Sequence, residues 1–205
     1  MMNLTTPVRV PSYGINALRY AIHVVAFCWL AWVYYLALNG SLDGDPVQYL
    51  LDFSGIGTLH LLMLSLLVSP IAMRFKFAQL MQIRKTLGVY AASYALFHFY
   101  VFTAYELQYE WKLILSEIVE RPYITVGMVA LLILSALLLT SLNKIKKRMG
   151  KNWQKLHNFT YLALILGCIH YLWSVKSDWY EPAIYIVLAT ILLLFRRKKI
   201  QKIIK

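Results

Sequence analysis

The chain has 205 residues, of which 60% are hydrophobic and only 15% charged, with a mean hydropathy of +0.58 and a formal net charge of +12. Soluble domains run at roughly 45–50% apolar and about 25% charged residues, so these figures exclude a water-soluble domain and point to a membrane protein. The two cysteines, Cys28 and Cys168, offer neither a disulfide framework nor a CxxC metal knuckle and read as small apolar packing residues.

Six apolar stretches follow in chain order, at 18–38, 57–73, 86–105, 123–142, 156–173 and 179–195. Each has about the 17–25 residues that cross a hydrocarbon core as a helix, and the expectation is an all-α, six-helix polytopic membrane bundle forming one domain over 1–205. The first stretch is too long and lacks the small-residue site of a cleavable signal peptide, so it reads as a span that stays. Before the second, Gly55-Ile56-Gly57 reads as a helix-entry cluster, too short for a dinucleotide loop. The last is interrupted early by Glu181 and Pro182, with Pro182 tolerable in a first helical turn and Trp179 and Tyr180 at the interface.

Charge orients the bundle. Eighteen of the 21 basic residues precede the first stretch or, as Arg19, lie at its start, separate the second from the third and the fourth from the fifth, or follow the sixth. All nine acidic residues fall in the other three loops or beside them. Short loops rich in Lys and Arg stay cytoplasmic, which predicts both termini inside and the acidic loops outside. The +12 charge is therefore a topology signal, with an attraction for anionic lipid as a secondary effect, and not a nucleic-acid footprint.

Ionisable residues at membrane depth are costly and mark function, and neutral imidazole can hold haem iron from both faces. His98 lies fourteen residues beyond Arg84, about 21 Å from the inner face at ~1.5 Å per residue. His170 lies thirteen residues beyond His157, about 20 Å further along its own outward-running helix. The pair His98 and His170 is thus level in the outer half, whereas His157 is level with Arg84. Arginine is a poor metal ligand but suits a haem propionate or a flavin phosphate. Thirteen residues also turn an ideal helix by about 220°, so His157 and His170 share a seam only if that helix is overwound or bulged. His23 near the inner face and His60 near the outer face read as hydrogen-bonded interfacial residues, with a propionate or quinone contact open for His60. The loop at 143–155 reads as a positive-inside loop that could dock a flavoprotein.

The motifs around these residues resemble a known family. Arg84-Lys85-Thr86-Leu87-Gly88, Tyr94-Ala95-Leu96-Phe97-His98, Arg121-Pro122-Tyr123-Ile124-Thr125-Val126-Gly127, Gly150-Lys151-Asn152-Trp153-Gln154-Lys155-Leu156-His157-Asn158 and His170-Tyr171-Leu172-Trp173-Ser174-Val175-Lys176 resemble the MsrQ family, within the wider ferric-reductase-like transmembrane superfamily. The resemblance spans the second to sixth stretches. It implies a multi-pass protein of the bacterial inner membrane that binds heme b, one or two per chain, with FMN also a possible cofactor. It further implies an electron-transfer subunit rather than the catalytic one. Electrons would come from the quinone pool or a cytoplasmic flavin reductase and pass to a periplasmic molybdopterin-dependent methionine sulfoxide reductase that repairs oxidised proteins. Carried over, His98, His157 and His170 occupy haem-associated positions; Arg84, by its own chemistry and depth, is the expected partner of His157 at an inner cofactor. No nicotinamide- or flavin-binding domain is visible on the chain itself. A stand-alone ferric or cupric reductase, a transporter using intramembrane histidines and a purely structural subunit are the competing classes.

Overall fold

The computed structural model describes residues 11–175, 177–197 and 200–201. Arg9, Lys176, Lys198, Lys199, Lys202 and Lys205, counted above among the motif and charge signals, lie outside the described residues. Among the described residues the chain is helical throughout, with helices α1 (Ser12–Leu38), α2 (Pro46–Arg74), α3 (Met81–Val101), α4 (Trp111–Glu120), α5 (Pro122–Leu139), α6 (Asn143–Met149), α7 (Lys151–His157), α8 (Thr160–Ser174) and α9 (Tyr180–Phe195). Four segments are long and apolar enough to cross a membrane: α1, α2, α3 with its short flanking helices (Ala78–Glu106), and α5.

Helix α2 starts eleven residues earlier than the apolar run suggests. Asp45 caps it by accepting from the Val47 amide at 2.9 Å, and Pro46 occupies the first turn, where a missing N–H costs nothing. Gly55 and Gly57 are consequently inside a 29-residue helix and not at its entry, and His60 sits fourteen residues from either end instead of near the outer one.

The fifth expected span is also revised. The chain breaks at Asn158 and Phe159, so His157 ends the short helix α7 while His170 rides on α8, which has 15 residues; α9 has 16. The break replaces the overwinding that a continuous helix would have required to aim both histidines. Gly150 makes the preceding turn possible, because its φ of +52° and ψ of −124° are a conformation that side-chain-bearing residues avoid. At the other end, α3 passes through a π turn at Phe102–Glu106, and Gln108 and Tyr109 both take positive φ to reverse the chain. The amphipathic helix α4 then crosses to α5.

Two intimate pairs, α2 with α3 and α5 with α8, build the bundle, with α3 against α5 joining them. Small residues permit the close approach: Ala91, Ala92 and Ala163 are almost fully buried among Leu59, Leu62, Leu66, Leu134, Leu164 and Cys168. The opposite faces carry large exposed apolar side chains, including Val24, Phe27, Trp29 and Trp32 on α1 and Ile184, Val187 and Leu188 on α9. In water such patches would be a liability, and in hydrocarbon they are the solvated surface.

Pro70 removes one backbone donor from α2, leaving the Leu66 carbonyl, four residues earlier, without its helical partner. That carbonyl accepts instead from Arg196 Nη2, whose guanidinium is buried between α2 and α8 and also donates from Nη1 to the Tyr161 hydroxyl at 3.1 Å. An orphaned carbonyl in a dry interior is costly, and this contact ties the end of α9 to the centre of the bundle.

Enlarging Ala91, which is 0% exposed at the α2–α3 contact, should overpack that contact and destabilise the protein by about 1–3 kcal/mol. Thermal unfolding of detergent-solubilised Ala91→Leu, followed by loss of the monodisperse peak, should show a clear drop in midpoint.

Candidate functional site

Helices α3 and α8 bring His98 and His170 together, with ring centroids 6.1 Å apart and planes at 89°. Each ring is seated in the same way. His170 Nδ1 lies 2.7 Å from the Tyr123 carbonyl of α5, and His98 Nδ1 lies 3.0 Å from the Leu51 carbonyl of α2. A carbonyl can only accept, so each Nδ1 carries the proton and each Nε2 keeps its lone pair. Ser54 Oγ, 3.3 Å from His98 Nδ1, donates its own proton to the Leu50 carbonyl at 2.6 Å and leaves the assignment unchanged.

The residue four positions beyond each accepting carbonyl is a glycine, Gly55 on α2 and Gly127 on α5. A Cβ at Gly127 would lie 2.6 Å from His170 Nδ1, and one at Gly55 would lie 3.2 Å from His98 Cε1. The rings therefore rest on bare helix backbone. Both glycines were overlooked as site residues in the sequence. The available signal was a small residue inside an apolar helix one or two turns from an ionisable one.

The arrangement fits a haem. Two metal–imidazole bonds of about 2 Å each, with roughly 1 Å from nitrogen to ring centre on either side, place two axial rings about 6 Å apart, which matches the observed separation. Nδ1–H donation to backbone carbonyls is the support that metal-bound imidazoles use to fix tautomer and orientation. Among the described residues no group of three or more His, Cys, Asp or Glu converges. Two opposed histidines alone suit a metal that brings its own equatorial ligands.

The inner site is built differently. His157 Nε2 lies 3.1 Å from Thr140 Oγ1, which donates its own proton to the Ala136 carbonyl at 2.7 Å. Nε2 therefore donates, and the lone pair of His157 is at Nδ1. The ring stacks on Trp153 at 4.0 Å, Trp153 Nε1 donates to the Thr140 carbonyl at 2.9 Å, and Lys146 lies 4.5 Å above the indole. Arg84 is held to α2 through its carbonyl, which accepts from Ser65 Oγ at 3.1 Å. No second histidine faces it: His23 bonds Tyr90 at 3.0 Å, and His60 bonds Tyr185 at 2.7 Å. Both readings of these two as hydrogen-bonded residues match their contacts, although His60 does so in mid-helix.

With this geometry in place, comparison with known proteins is decisive. Residues 53–168 match the family model described as "Ferric reductase like transmembrane component". The chain is 40% identical over 195 residues to the protein-methionine-sulfoxide reductase heme-binding subunit MsrQ of Cronobacter sakazakii, covering 95% of this chain and 98% of that one. The chain belongs to the MsrQ family. Similar relatives of the same name occur in Klebsiella pneumoniae, 39% identical over 90% of this chain and 94% of that one, and in Salmonella paratyphi B, 38% identical over 95% and 98% respectively. The matched region begins at Phe53, two residues before Gly55, and ends at Cys168, two residues before His170, so it contains His98, both seat glycines and the inner pair Arg84 and His157.

The seats should be sensitive to a single methyl group. Gly127→Ala should displace the His170 ring and sharply lower haem content per polypeptide, whereas Gly55→Ala, with a looser contact, should lower it less. Pyridine haemochrome assays of the two purified variants check the order, and equal effects would contradict the seat geometry.

Proposed function

We propose that this chain is a b-type cytochrome subunit of a protein-methionine-sulfoxide reductase system, an electron conduit and not the catalytic subunit. The observation that carries the reading is the His98–His170 pair, at axial-ligand separation and with both Nδ1 protons committed to backbone carbonyls. The names of the similar proteins support it, since each is called a heme-binding subunit of that reductase.

On this reading His98 and His170 are the axial ligands of a heme b in the outer half of the bundle. Bound there, the haem supplies one-electron redox chemistry. The chain's own contributions are positioning, ligation and the apolar bundle core that includes Leu59, Leu62, Ala91, Leu134 and Leu164. Arg84 and His157 hold a second cofactor at the inner end, a second haem or FMN. His157 offers Nδ1 rather than Nε2, and Arg84 offers a planar fork of donors to a propionate or phosphate. Electrons enter from the quinone pool or from a cytoplasmic flavin reductase and leave to a periplasmic molybdopterin-dependent methionine sulfoxide reductase.

The same reading places the chain in the bacterial inner membrane with six crossings and both termini in the cytoplasm. Helices α8 and α9, with 15 and 16 residues, reach about 22–24 Å. The bilayer core is about 30 Å thick, so these two cross with help from thinning or from flanking interfacial residues such as Trp173, Trp179 and Tyr180.

Two outcomes check this function. Replacing either His98 or His170 by Ala should abolish the six-coordinate low-spin spectrum of the dithionite-reduced protein; an unchanged spectrum in both variants would refute the ligand pair. For the topology, a reporter cysteine beside Lys147 should resist an impermeant thiol reagent in intact cells and react after lysis. Labelling in intact cells would mean that the bundle is inverted.

A further inference from the structure

The inner ends of the helices gather cations that no carboxylate side chain balances. All nine acidic residues lie between 43 and 52, 106 and 120, or 178 and 181, at the opposite ends of α2, α3, α8 and α9 from Arg84, Tyr161 and Arg196. Arg196 is the most deeply placed of these cations, 5% exposed. Its hydrogen-bond partners, the Leu66 carbonyl and the Tyr161 hydroxyl, are neutral, and the Tyr161 ring lies 5.8 Å beneath the guanidinium. Its Nε is buried with no hydrogen-bond partner. Ser65 Oγ, adjacent in sequence to Leu66, donates to the Arg84 carbonyl at 3.1 Å, so both arginines meet the same stretch of α2, Arg84 through its backbone and Arg196 through its guanidinium.

Neutral acceptors satisfy donors without compensating charge. A guanidinium in a dry interior is costly unless an anion completes it. The unused Nε–H, together with the neighbouring Nη, forms the edge of a guanidinium that takes an oxyanion through two parallel bonds.

We propose that Arg196 joins Arg84 in gripping the oxyanion, a phosphate or carboxylate, of an amphiphilic ligand at the inner boundary of the bundle. Among the described residues no carboxylate side chain lies at that end of the bundle. The inference deepens the inner-site reading above, in which Arg84 alone grips the acid group, and rests on it for Arg84. Three molecules carry such a group at this depth: a haem through its propionates, a flavin mononucleotide through its phosphate, and a phospholipid through its headgroup.

The test measures haem, flavin and lipid phosphorus per polypeptide in purified wild type, Arg84→Gln, Arg196→Gln, Pro70→Ala and the Pro70→Ala/Arg196→Gln double variant. Pro70→Ala returns an N–H to α2, so the Leu66 carbonyl no longer needs Arg196. Loss of a charged bidentate contact should lower one of the three contents about tenfold in Arg196→Gln, with the His98–His170 spectrum intact and the loss persisting in the double variant. The content that falls names the ligand. Contents unchanged in Arg196→Gln, or restored in the double variant, would overturn the proposal, the second outcome making Arg196 a latch on α2. A loss in Arg84→Gln but not in Arg196→Gln leaves the inner site standing and removes Arg196 from it; a loss in neither removes both. If Arg196→Gln does not fold, the Pro70→Ala background carries the comparison. If neither folds, native mass spectrometry of the wild type decides: a mass accounted for by the polypeptide and one haem alone would overturn the inference.

Discussion

The site depends on one contact made twice: an imidazole Nδ1–H donating to the carbonyl of a neighbouring helix where a glycine lies one turn further on. In a helix each carbonyl already accepts from the amide four residues later, and a side chain at that later residue would block any approach from outside. Gly55 and Gly127 remove the block, so Leu51 and Tyr123 each accept a second bond. The bond fixes the tautomer and holds the ring against rotation. In a medium of low dielectric it does so more strongly than it could in water.

The helix pairing follows from the same requirement. His98 on α3 needs α2 beside it, and His170 on α8 needs α5, and these are the two closest helix pairs of the bundle. Ala91, Ala92 and Ala163 at the contacts, and Gly88, where an added Cβ would lie 3.6 Å from Ser65 Oγ, let the backbones come within reach. Without a hydrophobic driving force between helices in lipid, such small-residue contacts and the hydrogen bonds across them are what favour one packing over others.

The two ends of the bundle are chemically unlike. Around His98 and His170 the polar groups are neutral and their bonds are closed within the protein. At the inner end the groups are cationic, and one of them, Arg196, is drawn inward by a carbonyl that Pro70 sets free. Tyr34 and Tyr105, bonded through their hydroxyls at 2.5 Å beside the π turn of α3, close the outer end on the side of α1.

The sequence by itself determined the helical class, the positions of the apolar segments, the division of charge between alternate loops and the level match of His98 with His170. Those features follow from composition and from helix rise, both additive along the chain. It also misplaced specific things: Gly55 as a helix entry, His60 at a helix end and His157 on the same continuous helix as His170. The first two turn on a local signal that the apolar run hides, the Asp45 cap and Pro46 that start α2 early; only the structure shows that a turn at Asn158 and Phe159 separates the two histidines. The carbonyls that His98 and His170 meet, the Thr140 partner of His157 and the burial of Arg196 were likewise not legible in one dimension. Each joins residues on different helices, 17 to 130 positions apart, and hydrophobic periodicity says which face of a helix is buried but not which backbone group of a neighbour it meets.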